Sequence, residues 1–502
     1  MDWHSIFDQA RSDAAFLFPE AMLVSFGLAI LLTDFLLGKS QKSWHALTAM
    51  LGVAFSGASL FVLVRPAADR VMAFSNSIAI DPSFIFIGFA VLAATALVIL
   101  LSVRYLEEEE AQSGAYYALV LFAAVGMLFV ACGNDLAVIL VALETMAISL
   151  YILAGYLGRN RLSNEAAMKQ MLTGAFATAI LAYGFSILYG IAGSTNLQVI
   201  QATIRQRHTD YSGADLLMFL ALATIAAALL LKVAAVPFHQ WAPDVLQGAP
   251  TTISAFASAA SLAASLALLL RLLVTVFWPA NLAWSGILEA AGALSLMLGT
   301  LAALTQNNVK RLLAYSSIAQ AGYMLLGVTA AVNRDGSFNP RGLQAVAFYL
   351  FAYVFFNTGA FAVLIVLRQN GSIGDEIDDL NGLAYRNPAA AVSMLIFVLS
   401  LAGIPLTTGF IAKFLVFWSL MEAGHPYLAA LGVLCILPAV YSYLRIVAAM
   451  WSRDSSGAAP TEMTAAESSA LAIMALVTVA AGIFPEQLLR FAKYSILTPL
   501  GL

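Results

Sequence analysis

About fourteen stretches of this chain are apolar for long enough to cross a bilayer as helices, and nothing else narrows its possible folds as far. A bilayer core of about 30 Å needs roughly 20 apolar residues in helix, because lipid offers no partner to an open backbone N–H or C=O. The runs fall near 14–37, 43–64, 80–103, 114–132, 135–157, 166–193, 214–236, 250–277, 282–305, 311–332, 343–367, 387–420, 427–451 and 466–490. The ten-residue alternation of an outer-membrane barrel is absent. Charged residues make up 10% of the chain, against about 25% in a soluble domain, so a water-facing enzyme is excluded. A net charge of −4 offers no basic footprint for nucleic acid. Cys132 and Cys435 both sit in apolar runs, and His4, His45, His208, His239 and His425 are scattered without ligand spacing. The expectation is an all-α polytopic membrane protein that binds no metal and holds no cofactor of its own.

The acidic N-terminus (Asp2, Asp8, Asp13) precedes a first run with no small-residue cleavage site, which is expected to stay as a helix. For an outside N-terminus, inner loops carry ten Lys/Arg and outer segments nine, a negligible bias. The short loops with Lys39, Lys42, Arg159 and Arg161 favour both termini outside. The acidic clusters Glu107–Glu110 and Asp375, Glu376, Asp378, Asp379 read most simply as solvated loop faces.

Five basic residues remain inside or at the ends of apolar runs: Lys169, Lys232, Arg271, Lys413 and Arg445. Arg271 can snorkel from its helix end, and Lys169 lies near the start of its own. Lys232 (ALLLKVAAVPF) and Lys413 (TTGFIAKFLVF) have no such escape, and Glu144 lies about nine residues into its run. A charge at that depth costs several kcal/mol, so such groups usually face a polar interior and mark an ion path. The alternative is an ion pair that only fixes helix packing. Burial moves lysine and glutamate affinities for the proton towards neutrality from opposite ends, and a nearby opposite charge restores each ionised form. A small change in separation can then move a proton. Arginine, effectively never deprotonated, does not suit this role.

Two segments look broken within the membrane. VPFHQWAPDVLQGAPT carries Pro237, Pro243, Gly248 and Pro250, and GIPLTTGF carries Gly403, Pro405 and Gly409. Lys232 stands five residues before Pro237 and Lys413 eight after Pro405. Discontinuous helices in corresponding places of two halves point to inverted repeats around a midplane site. The expected layout is helices 1–3 (residues 1–110), a first five-helix repeat (111–278, helices 4–8), a second (279–452, helices 9–13) and helix 14 (453–502), with helices 7 and 12 broken.

From about residue 80 to 452 the chain resembles the antiporter-like membrane subunits of proton-pumping NADH:quinone oxidoreductase, respiratory complex I, a family shared with multi-subunit Na⁺/H⁺ antiporters. The resemblance rests on NDL…E (Asn134–Glu144), EAAMK (Glu165–Lys169), K-x₄-PFHxWxPD (Lys232–Asp244), KRLLAYSSIAQAGY (Lys310–Tyr323), GIPxxxGFxxK ending at Lys413, and YLR at Arg445. PDV-x-x-GAPT (Pro243–Thr251) resembles the N type within it. The resemblance implies Glu144 as the helix-5 carboxylate, Lys232 its helix-7 partner, Lys413 the helix-12 lysine near an outer half-channel, and Lys310 at the start of helix 10. Where many relatives have Lys or His in helix 8, residues 255–266 hold no titratable group, so the path would use water held by Ser258 and Ser261, or bypass helix 8. Gln320 stands where relatives often have His.

His239 and Trp241 can cap and pack the helix-7 break, with His239 as a proton inlet the alternative. Asp244 can cap the helical piece that follows. Glu165 and Lys169 can pair along one helix face. Glu20, Asp34 and Glu289 are expected to reach the interface. The resemblance implies a proton-translocating subunit in a bacterial inner membrane, beside a neighbouring antiporter-like subunit, small K/J/A-type subunits and lipid. Flavin, iron–sulfur clusters and quinone would belong to other chains. The competing function is a subunit of a Na⁺/H⁺ antiporter with no redox partner.

Overall fold

Each long apolar run forms helix, the one form in which a single segment satisfies its own backbone in lipid. The computed structural model describes residues 13–36, 44–68, 70–207, 214–368, 374–452 and 463–497. Among them, twelve helices are long and apolar enough to cross a membrane. They are α1 (Phe18–Asp34), α2 (Trp44–Ala68), α3 (Pro82–Glu108), α4 (Gly114–Cys132), α5 (Leu136–Ala154), α6 (Arg161–Ala192), α8 (Thr251–Val276), α9 (Asn281–Ala303), α10 (Val309–Thr329), α11 (Pro340–Leu367), α13 (Pro426–Met450) and α14 (Ala465–Ile483). The remaining two passes are the interrupted ones. α7 divides into α7a (Ala214–Lys232) and α7b (Trp241–Gly248), and α12 into α12a (Pro388–Ala402) and α12b (Thr408–Glu422). The count of fourteen and both breaks agree with the sequence. Lys39 and Lys42 lie outside the described residues.

Local signals set many of the boundaries. Asp81, Asn339 and Asn387 each accept an N–H of the first turn, and a proline follows each of them. β1 (Val71–Ala73) and β2 (Ile78–Ile80) form a small antiparallel hairpin between α2 and α3. α8 is wound into π-turns at Ala257–Ser261 and Leu272–Val276. α10 and α11 are 94% buried over their most apolar windows, against 33% for α2, α6, α13 and α14. The inner helices therefore meet protein on all sides, and polar groups on them face one another.

Two expectations fail, and a third holds in most of its residues. Arg271 does not snorkel: α8 ends inside the bundle, and the buried guanidinium pairs with Asp81 (2.9 Å) and donates to the Ala131 carbonyl (2.7 Å). Glu20 does not reach the interface and is 2% exposed. Six of the eight residues in the acidic clusters are exposed as expected; the exceptions are Glu109, which pairs with Arg368, and Asp375, whose Oδ1 is buried.

Candidate functional site

Glu144 is the ninth residue of the 19-residue α5, close to its midpoint. Lys232 is the last residue of α7a. The sequence leads one to expect a direct pair or a single water between them. Instead α6 packs against both helices and inserts Thr178. Its hydroxyl donates to Glu144 Oε1 (2.5 Å) and accepts from Lys232 Nζ (3.2 Å).

Beyond Lys232 the chain turns through Ala234, which has a left-handed backbone (φ +56°), and a cis Val236–Pro237 bond. Trp241 closes the break by donating its Nε1 to the Leu231 carbonyl (3.0 Å), while Ser295 accepts the Val236 N–H (2.8 Å). Pro237 is exposed, and Pro243 sits in the first turn of α7b, where its missing N–H costs nothing. His239 does not cap: its Nδ1 is buried with no partner among the described residues. Asp244 does not cap either. Arginine and lysine from neighbouring helices compete successfully for its oxygens: Lys169 (2.6 Å), itself paired with Glu165 (2.7 Å), and Arg311 (2.7 Å).

Two adjoining cavities of about 40 Å³ each begin at Lys232. Each has room for about two or three waters. One is lined by Tyr151, whose buried hydroxyl has no partner among the described residues, with Gln170, Trp241 and Ser261. The other runs past Ser258 and Ser261 to Ser317 of α10. The first π-turn of α8 thus brings both predicted serines to the space beside Lys232. Asn357 donates to Ser258 (2.8 Å) and Tyr353 to Ser317 (2.8 Å). One turn further along α11, the Tyr349 hydroxyl donates to the Gln320 carbonyl oxygen.

Gln320 in turn donates to the Leu401 carbonyl (3.1 Å), and so does Lys413 Nζ (2.7 Å), which also reaches the Ala402 carbonyl (3.0 Å). These carbonyls are left open where α12a stops, so the negative end of a helix dipole cradles the ammonium. The Tyr323 ring lies 4.8 Å from Nζ. Gly403 permits the approach: it has φ +82°, and a Cβ there would come within 2.8 Å of Lys413 Cδ. Pro405 lies exposed in the linker. Lys310 follows the same rule, donating to the Ala249 carbonyl where α7b ends (2.7 Å).

Thus Glu144, Lys232, Ser258, Ser261 and Lys413 fall along one polar seam, Lys310 lies at its inner flank, and His239 stands apart from it. Sequence reasoning missed Thr178, Gln170, Tyr349, Tyr353 and Asn357. The last three recur every fourth residue on an otherwise apolar helix, a stripe visible in advance. Thr178 gives no such signal.

Fourteen passes with two broken helices, each bearing a lysine on a polar seam, define an antiporter-like integral membrane protein. The chain belongs to the NADH:quinone oxidoreductase/Mrp antiporter transmembrane family, which it matches over residues 133–437. It is 44% identical to NADH-quinone oxidoreductase subunit N 1 of Koribacter versatilis over 494 residues, 97% of this chain and 96% of that one. It is 43% identical to subunit N 2 of Solibacter usitatus, over 95% and 96% of the two chains. Among solved structures, a chain of respiratory complex I from Thermus thermophilus is 31% identical, with TM-score 0.79, covering 95% of this chain and 99% of that one. A chain of the Mrp complex from Dietzia sp. superposes with TM-score 0.83 at 20% identity over 96% of each chain, a likeness of fold alone.

Proposed function

We propose that this chain is one proton-translocating module of an NADH:quinone oxidoreductase in a bacterial inner membrane. The observation that carries the reading is the seam: Glu144, Thr178 and Lys232, then a cavity, then Ser317 with Tyr353, Tyr349 with Gln320, and Lys413. Its relatives are named as subunits of a redox enzyme, whereas this chain contributes no redox step of its own in the reading. Flavin, iron–sulfur clusters and quinone sit in other subunits. Its neighbours are another antiporter-like subunit and the small K/J/A-type subunits. The segments 111–278 and 279–452 act as two repeats, one opening inward at Glu144 and one outward beyond Lys413.

A pulse from the redox-coupled neighbour separates Glu144 from Lys232. Lys232, losing its anion, passes a proton along the hydrated cavity and the Ser317 and Tyr353 hydroxyls. Gln320 does not titrate and orients the far end. The arriving charge expels the proton on Lys413 to the outer face, and re-pairing reloads Lys232 from inside. Lifting a proton against about 150 mV costs roughly 3.5 kcal/mol, a change of about 300-fold in proton affinity.

Lys413→Arg keeps the charge but abolishes release. In vesicles holding the purified complex, fewer protons should move per NADH oxidised, or turnover should slow. Wild-type turnover with undiminished proton yield would exclude Lys413 as an obligatory carrier. Flavin and iron–sulfur absorbance should co-elute with the chain in mild detergent; their absence favours the antiporter reading.

A further inference from the structure

The loop between α11 and α12 holds a carboxylate that no step above uses. It is fastened to the start of α10: Val309 N donates to the Asp375 carbonyl (2.6 Å), Ile377 N donates to the Asn307 carbonyl (2.9 Å), and Asn308 bridges to Glu376. This fastening sets the Asp375 side chain in the neighbourhood of Lys310, which is 2% exposed. Asp375 exerts the largest attraction of any charged group on that lysine, ahead of Glu109, and Arg368 opposes it. Arg368 is already engaged by Glu109 and lies over the Tyr105 ring (5.4 Å). Asp375 Oδ1 is buried and has no hydrogen-bond partner among the described residues.

On its other side Lys310 leads inward. Lys310, Ala314 and Ser317 share one face of α10. Ala314 and Ser317 line the cavity that reaches Lys232, together with Ala242 and Leu246 of α7b, the helix whose terminal carbonyl holds Lys310. Ala314 is about 6 Å further along the helix axis than Lys310. The lysine thus stands between an inner-face carboxylate and the central cavity.

We infer that Asp375 and Lys310 form a second proton inlet from the inner face, separate from Glu144 and Lys232, which loads the central cavity from the α10 side. The inference rests on the proton-module reading above. The Asp375 carboxylic acid gives its proton to an intervening water, which passes one of its own to the Lys310 amine, so that one O–H bond breaks at Asp375, one N–H bond forms at Lys310 and the water is left unchanged. The carboxylate regains a proton from the inner aqueous phase, and the ammonium releases its own to cavity water. Burial raises the Asp375 carboxyl above the usual carboxylate range; Lys310 and Arg368 pull it back, and Asp379 and Glu376 push it further up. The acid form therefore persists nearer to neutral pH, as a donor requires. The inlet matters most at alkaline inner pH, where free protons are scarce.

The test compares wild type, Asp375→Asn, Asp375→Glu and Lys413→Arg in vesicles holding the whole complex, with proton movement followed against inner-face pH. Asp375→Asn should slow proton movement on the order of tenfold and move the alkaline limb of the profile to lower pH. Asp375→Glu should restore both. Unchanged rates in Asp375→Asn overturn the inlet. So does a loss that is equal at every pH, or one that Asp375→Glu leaves unrepaired, since either marks a structural role. If instead Lys413→Arg pumps like wild type, the wider reading fails, whatever Asp375 does.

Discussion

A hydroxyl between a carboxylate and an ammonium has one proton to give and lone pairs with which to receive. Thr178 uses both, so Glu144 and Lys232 sense one another through a single O–H. Without it, two charged groups near mid-membrane each lose a hydrogen bond, at about 1–3 kcal/mol. Thr178→Val keeps the shape and removes the bridge. Proton movement by vesicles should then slow roughly ten- to hundredfold, since each 1.4 kcal/mol is a factor of ten. Thr178→Ser should stay near wild type. A valine variant that pumps normally would show that the pair acts without the bridge. Glu144 and Lys232 stand out in the sequence because ionisable residues in apolar runs are costly. Threonine is common in such runs, so only the packing of α6 between α5 and α7a singles out this one.

At the scale of the element, carbonyls left open at helix ends within the bundle are answered by side chains, by Trp241 at the α7 break and by a lysine at two other helix ends. Lys413 meets the end of α12a, and Lys310 the end of α7b. The α12 break depends on two glycines. Gly403 needs its left-handed conformation, and a Cβ at Gly409 would run into the Ser400 carbonyl. Gly403→Ala should cost about 1–2 kcal/mol for the left-handed residue alone and displace the Lys413 stem. Thermal unfolding of the complex in detergent should show the loss, and proton yield should fall with it. A silent Gly403→Ala in both measurements would mean that Lys413 does not need this cradle. Gly403 and Pro405 made the interruption readable. That the freed carbonyls hold the lysine was not readable, because backbone acceptors leave no mark in the sequence.

For the whole molecule, the ion network Glu165–Lys169–Asp244–Arg311 ties α6 and α7b to α10, helices far apart in sequence, at one face. That face also carries the short loop with Arg159 and Arg161, whose positive charge favours an inside position. Thiol labelling checks this cleanly, because both native cysteines, Cys132 and Cys435, are buried. Gly158→Cys and Asp335→Cys occupy exposed loops at opposite ends of the bundle. A membrane-impermeant maleimide applied outside intact cells should label Asp335→Cys and leave Gly158→Cys unlabelled until the membrane is opened. The opposite pattern would put both termini inside.

Run length and hydropathy by themselves determined the class, the fourteen passes and the two breaks, because lipid leaves a backbone few choices and proline and glycine mark where the helix stops. Deep charge by itself also selected Glu144, Lys232 and Lys413. Which polar groups they meet was a matter of three-dimensional packing alone. Asp244 could have capped a helix, yet Lys169 and Arg311 claim it. Arg271 could have reached the interface, yet its helix ends inside the bundle beside Asp81. Asp375 could have been a solvated loop residue, yet its loop is fastened to α10 beside Lys310. In each case a side chain long enough for two fates takes the one offered by helices distant in sequence, and only the tertiary structure brings those helices together.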